Sequence, residues 1–115
     1  NNISVAVRIR PFTARELAEA GGAEAVLDVS GNTITARALD RFGLESEYAK
    51  EKMYGFDAIF SSLHEDSGEC ATQEQLFQEI GVPILDNAFN AYNGCLLAYG
   101  QTGAGKSHSI LGDLR

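Results

Sequence analysis

The sequence predicts an α/β fold, a mixed sheet with flanking helices and a small accessory β-hairpin, and three observations carry that expectation. Ile3, Val5, Val7 and Ile9 alternate with Ser4, Ala6 and Arg8, the period of a strand. Leu76, Phe77, Ile80, Ile84, Leu85, Ala88, Phe89 and Tyr92 recur at three and four, which lines up one apolar stripe on a helix. Cys95–Tyr99 is continuously apolar, as expected of a strand covered on both faces in a parallel sheet, and it runs directly into a glycine-rich segment.

Taken in order, the first strand, Ile3–Ile9, ends at Pro11, and Thr13-x-x-Glu16 has the form of a capping box opening a short helix through Ala20. Gly21-Gly22 closes that helix. Val26–Val29 and Thr33–Ala36 flank Ser30-Gly31-Asn32, which predicts the hairpin, with Gly31 and Asn32 supplying positive φ in its turn. Lys52–Phe60 reads as a third strand interrupted at Gly55, and Ser61–Thr72 as a polar surface loop. The stripe helix follows, and its apolar face is expected to be core. Gly81 and Pro83 interrupt it. An interior proline removes a hydrogen bond and clashes with the preceding turn, so a kink, or two abutting helices, is expected there. Asn93-Gly94 reads as a positive-φ cap that ends the helix.

Composition narrows the class. A chain of 115 residues with 44% hydrophobic content is ordinary for one small globular domain. By surface-to-volume scaling its core is modest. The formal net charge is −7, spread without a block of like charge, and this argues against nucleic acid as a partner, since that binding rests on Lys and Arg neutralising phosphates. Cys70 and Cys95 lack metal-ligand spacing and read as two thiols of a reducing compartment rather than a disulfide. No apolar run approaches the roughly 18 residues that span a bilayer, and no signal-peptide pattern opens the chain. The expected setting is cytoplasmic, without direct membrane insertion. The start at Asn1, without methionine, is read as that of an excised or processed piece.

The most informative segment is Gly100-Gln101-Thr102-Gly103-Ala104-Gly105-Lys106-Ser107, a full match to G-x-x-x-x-G-K-[ST], the phosphate loop of P-loop NTPases. Glycines let the backbone curl until successive N–H groups converge on phosphate oxygens. Lys106 brings a point charge for the β- and γ-phosphates, and the Ser107 hydroxyl is a hard oxygen ligand for Mg²⁺. The run Ser107–Leu111 is able to begin a helix whose positive end faces the anion. The competing reading is a flexible glycine-rich turn with an exposed lysine. A chance match in so short a chain is on the order of one in a few hundred, and the strand before and helix after are the context the motif requires.

Tyr99 before the first glycine and Gln101-Thr102 after it make the loop resemble that of the kinesin motor domain, a narrower form than the generic motif. Val5-Ala6-Val7-Arg8-Ile9-Arg10-Pro11-Phe12, Phe56-Asp57-Ala58-Ile59-Phe60, and Gln75-Leu76-Phe77 leading to Ala91-Tyr92-Asn93-Gly94 resemble the same family in order and spacing, over nearly the whole chain. Gly103–Ser107 and Ala88–Asn93 are most similar to the third kinesin class. The resemblance implies ATP with Mg²⁺ as the ligand, residues 1–115 as the N-terminal part of a motor domain incomplete at its C-terminus, and an ATP-driven microtubule motor as the intact protein. It further implies that Arg8, Arg10 and Pro11 flank the adenine, with His108 offering a ring face from the other side. A guanidinium or an imidazole can stack on a purine. Without the family, Arg8 and Arg10 read equally as solvated strand-end charges, Pro11 as a strand stop and His108 as a helix-surface residue. His64 has no partner at ligand spacing, and Asp57 reads as a surface turn more readily than as a metal ligand.

Binding phosphate is not hydrolysing it. Phosphoryl transfer also needs a carboxylate near the metal, a group that orients water and a loop that senses the γ-phosphate. In kinesins the switch segments and microtubule-facing loops lie beyond the phosphate loop, so no catalytic residue is assigned here, turnover by this stretch alone is expected to be poor, and the basic surface for an acidic microtubule is expected elsewhere. Two alternatives stand beside this reading. One is another P-loop enzyme, disfavoured because those loops usually follow the first strand. The other is a non-motile nucleotide-binding module.

Overall fold

The computed structural model describes residues 3–18, 26–37, 51–63 and 70–112. The chain divides into two compact units, Asn1–Cys70 and Ala71–Arg115. The first is built on strands and the second on helices.

In the first unit, strand β1 (Ala6–Ile9) pairs in parallel with β5 (Ala58–Ser61), Ala6 opposite Ala58 and Ile9 opposite Ser61. Parallel partners require a long crossover, and the intervening chain supplies it with helix α1 (Ala14–Ala18) and a three-stranded antiparallel sheet, ordered β2 (Leu27–Ser30), β3 (Thr33–Ala36), β4 (Lys52–Gly55). Parallel and antiparallel pairing therefore coexist, in separate sheets. The alternation predicted for Ile3–Ile9 becomes ladder only in its second half. Ile9 is buried, whereas Ile3 and Val5 are exposed.

The hairpin forms with a two-residue connection, since Ser30 pairs with Thr33. Gly31 has the expected positive φ of 56°, but Asn32 does not share it. The Asn32 carbonyl instead accepts the Phe56 N–H at 2.9 Å, so its conformation serves the third strand of the sheet. The expected single strand Lys52–Phe60 is two strands. β4 joins β3 antiparallel, with Thr33 opposite Gly55, and the chain then crosses to β1. Asp57 makes that transfer: its N–H donates to the Val5 carbonyl at 3.0 Å and its carboxylate accepts the Val5 N–H at 2.7 Å. The accessory element is consequently a three-stranded sheet rather than a hairpin alone. Val29, Ile34 and Tyr54 stand in one row across it, and Ile34, on the central strand, is buried.

The capping box opening α1 is formed. Glu16 N–H donates to Thr13 Oγ1 at 3.2 Å, and Thr13 N–H donates to the Glu16 carboxylate at 3.0 Å. The expected helix end at Ala20, the Gly21-Gly22 stop and His64 lie outside the described residues, as does the stretch 64–69 of the expected polar loop.

In the second unit, α2 (Gln73–Leu76) begins at Thr72 with a second capping box, Thr72 with Gln75. It passes through a π turn, Phe77–Gly81, into α3 (Val82–Phe89). The π turn answers the proline problem. Val82 N–H reaches back five residues to the Phe77 carbonyl, and Pro83 then falls in the first turn of α3, where a missing N–H leaves nothing unsatisfied. The interruption is thus a register change in the hydrogen-bond ladder, the third way a helix accommodates such a residue. Gly81 fits because the Phe77 ring lies over it: a Cβ there would stand 2.7 Å from Phe77 Cδ2.

Three further expectations are corrected. The positive-φ cap that closes the helix is at Ala91, not at Asn93-Gly94. Ala91 has φ 63°, with Tyr92 N–H donating to the Asn87 carbonyl at 2.8 Å and Ala91 N–H to the Ala88 carbonyl at 3.1 Å, a Schellman motif with alanine where glycine is usual. The apolar stripe is not core, since none of Leu76, Phe77, Ile80, Ile84, Leu85 or Ala88 is buried and Phe89 is 87% exposed. Cys95–Tyr99 has no strand partner among the described residues, and Tyr99 is fully exposed. A strand is a shared hydrogen-bonded structure, and an apolar run supplies only one side of it.

Candidate functional site

The glycine-rich loop takes the shape its residue types permit. Gly103 and Gly105 have φ of 86° and 100°, values that residues with a Cβ rarely adopt. A left-handed residue on each side of Ala104 turns successive N–H groups toward one side, the anion-binding concavity that short glycine loops form. Gly100 is there for a different reason. Its φ is not positive, but a Cβ would stand 3.1 Å from the Ala104 Cβ, so a side chain there would require the Ala104 end of the loop to give way by a few tenths of an ångström. Ala104 N–H donates to the Gln101 carbonyl at 3.1 Å, forming the turn between them.

Gly105 is the N-cap of α4 (Lys106–Leu111), and its carbonyl accepts the first helical bond, from Ser109 N–H at 3.0 Å. Lys106 and Ser107 are therefore the first two residues of a helix, where backbone N–H groups lack intrahelical acceptors. Lys106 Nζ donates to the Gly100 carbonyl at 2.5 Å, which ties the ammonium across the loop mouth with one of its three donors. Ser107 is exposed, with its hydroxyl available to a hard cation. Among the described residues no cluster of three or more His, Cys, Asp or Glu could hold a metal.

The kinesin motor domain family model matches residues 8–115. The chain belongs to the kinesin motor domain family. Among curated relatives it is 38% identical to the kinesin-like protein unc-104 of Caenorhabditis elegans over 112 residues, covering 97% of this chain and 7% of that protein. Among solved structures it is similar to KIF14 residues 391–755 with ADP in complex with a microtubule, at TM-score 0.77 and 37% identity, covering 92% of this chain and 27% of that one. It is also similar to the KIF14 dimer in a two-heads-bound state with AMP-PNP and a microtubule, at TM-score 0.80 and 36% identity, covering 99% of this chain and 29% of that one. The fold is α/β of the P-loop NTPase type, in part.

Within this kinesin chain, Arg8, Arg10 and Pro11 belong to the first unit and Gly100–His108 to the second, and each set is described within its own unit. Arg8 lies on β1 opposite Phe60. Arg10 follows the strand and is not an idle surface charge: Nη2 donates to Glu16 Oε1 at 2.6 Å, and Nη1 donates to Glu16 Oε2 and to the Pro11 carbonyl, both at 3.1 Å. This two-pronged pair holds the guanidinium plane and leaves stacking on its faces compatible with the geometry. Arg10, together with the Thr13 N–H, draws the Glu16 carboxyl down to about 2, and the same hydrogen bond raises the pKa of Arg10. His108 is exposed on α4. Cys70 and Cys95 are not disulfide-bonded, and no helix among the described residues is long and apolar enough to cross a membrane.

Sequence reasoning missed three contributors. Thr72-x-x-Gln75 spelled a capping box as plainly as Thr13-x-x-Glu16 did. The sequence marks Glu16 as a cap, and its pairing with Arg10 emerges only in the folded chain. Gln73 had no signal at all, and its contact lies 35 residues along the chain.

Proposed function

We propose that this chain is the nucleotide-binding part of an ATP-driven microtubule motor, and that residues 1–115 form the N-terminal part of its head. The observation that carries the proposal is the loop Gly100–Ser107, with two left-handed glycines leading into the N-terminus of α4. In this reading the N–H groups of Gly103–Ser107 and the Lys106 ammonium bind the β- and γ-phosphates, and the Ser107 hydroxyl ligates Mg²⁺. Arg8, Arg10, Pro11 and His108 flank the adenine, with Arg10 oriented by Glu16. The metal, when bound, neutralises phosphate charge that the protein cannot balance alone. Lys106 exchanges its bond to the Gly100 carbonyl for phosphate oxygens as the ligand enters.

The microtubule enters through the family: both KIF14 structures are described in complex with one, with ADP or AMP-PNP. Because the chain spans only 27% and 29% of those heads, hydrolysis, track binding and a cytoskeletal location are proposed for the whole protein. The exposed run Cys95–Tyr99 and the stripe on α2 and α3 are proposed to pack against the remaining sheet of such a head.

The test measures Mg·ATP binding and ATP turnover, with and without microtubules, for the full-length protein and for Lys106→Ala. Stimulated turnover that is lost in the variant is the expected result. Binding without stimulation would replace the motor by a non-motile nucleotide-binding module, and unchanged binding by the variant would remove the loop from the site.

A further inference from the structure

Helix α4 carries Lys106 and Ser107 and has six residues, fewer than an isolated helix needs to persist in water. Something outside it must fix where it points. Toward its C-terminus a helix runs out of ladder donors for its carbonyls. Two carbonyls of α4 are met from another element of the same unit. Gln73 Nε2 donates to the His108 carbonyl at 2.9 Å and to the Ser109 carbonyl at 3.3 Å. The His108 carbonyl also accepts the Gly112 N–H at 2.9 Å, and Gly112, with φ 72°, turns the chain away where a Cβ would lie 3.8 Å from the Gln73 amide nitrogen.

Gln73 is itself held. It is the first residue of α2, directly after Thr72, whose Oγ1 accepts the Gln75 N–H at 3.2 Å, while Gln75 Oε1 accepts the Thr72 N–H at 3.0 Å. The capping box sets the backbone from which the Gln73 side chain reaches.

We propose that Gln73 is a positioning residue for nucleotide binding, capping the C-terminal end of α4 from outside and so fixing the helix that presents Lys106 and Ser107. The inference rests on the reading of Gly100–Ser107 as the phosphate site. A shift of α4 by a fraction of its rise per residue moves both side chains relative to the phosphates, and in catalytic sites a misplacement of about 1 Å costs up to roughly a hundredfold in rate. The shape-conserving change Gln73→Glu replaces the donor by an acceptor facing two carbonyl oxygens. It also puts a negative charge at the N-terminus of α2, where the helix dipole favours it, so loss of α2 is not the expected consequence. Gln73→Lys returns a donor.

The experiment uses the full-length protein, with Mg·ATP as the titrated probe and amide exchange of residues 106–112 as a second readout. Gln73→Glu is expected to raise the Kd of Mg·ATP about tenfold and to speed exchange in α4. Gln73→Lys is expected to return both to within about threefold of wild type. A Gln73→Glu protein with wild-type affinity and wild-type exchange overturns the inference, as does a loss of affinity in Gln73→Glu that Gln73→Lys fails to reverse. Lys106→Ala serves as the control. If it leaves Mg·ATP binding unchanged, the phosphate-site reading falls and the positioning role falls with it. If it abolishes binding while Gln73→Glu binds normally, only the role of Gln73 is lost.

Discussion

Replacing Gly105 by alanine isolates what the backbone contributes to the phosphate loop. Gly105 has φ 100° and ψ 18° and caps α4. A Cβ built there meets no atom within 4 Å, so no neighbour has to move and the whole effect is conformational. Holding an alanine at such a φ costs about 1–3 kcal/mol. The free loop escapes that cost by relaxing to a negative φ, while losing about 0.4–1 kcal/mol less conformational entropy than glycine when it orders. The net demand on binding is about 1–2 kcal/mol, which raises Kd about five- to thirtyfold. Equilibrium titration of Gly105→Ala with Mg·ATP reads it directly. Gly100→Ala is the contrasting case, because its cost is crowding against the Ala104 Cβ at 3.1 Å, and Ala104→Gly added to it restores affinity. The reasoning is refuted if Gly105→Ala binds within twofold of wild type, or if Ala104→Gly rescues it as well.

Three other outcomes follow from the same structure. Ala91→Gly removes the strain of an alanine at φ 63°, worth about 1–2 kcal/mol, against a loss of about 0.4–1 kcal/mol through the freer unfolded chain. The helix end gains on balance, and slower amide exchange at Tyr92 is the check. Glu16 has its folded pKa lowered from 4.5 to about 2, so its pairing contributes to stability above about pH 4.5 and the contribution is lost as pH falls toward 2. Carboxyl carbon NMR shifts should show Glu16 titrating near 2, and Arg10→Gln should move that midpoint toward 4.5. Gly81→Ala has a helix-propensity gain of about 1 kcal/mol opposed by the Phe77 ring 2.7 Å from the new Cβ. It is expected to destabilise alone and to stabilise in a Phe77→Ala background, as a denaturant double-mutant cycle would report.

What could be read along the chain was whatever depends on neighbours within a few residues. Thr13-x-x-Glu16 closed as a capping box, Gly31 took its positive φ, and the loop Gly100–Ser107 curled on Gly103 and Gly105. Each is a short-range matter of sterics and local hydrogen bonds, already decided by residue type and spacing. The family likeness was legible on the same local motifs. What the sequence pattern left undecided was every feature that needs a distant partner. Whether Lys52–Phe60 was one strand or two depended on β3 and β1 competing for it, and the exchange occurs at Asp57. Pro83 allowed a kink, a break or a π turn, and the ladder from Val82 to Phe77 chose among them. Ala91 gave no warning, because the αL position was set by bonds from the Tyr92 and Ala91 N–H groups to the Asn87 and Ala88 carbonyls rather than by a glycine. Arg10 found Glu16, and Gln73 found α4, through side chains reaching across turns that no period encodes. The apolar run Cys95–Tyr99 carries a strand's composition without a strand's ladder. Composition expresses a preference of one segment, and a hydrogen-bonded ladder is a property of two.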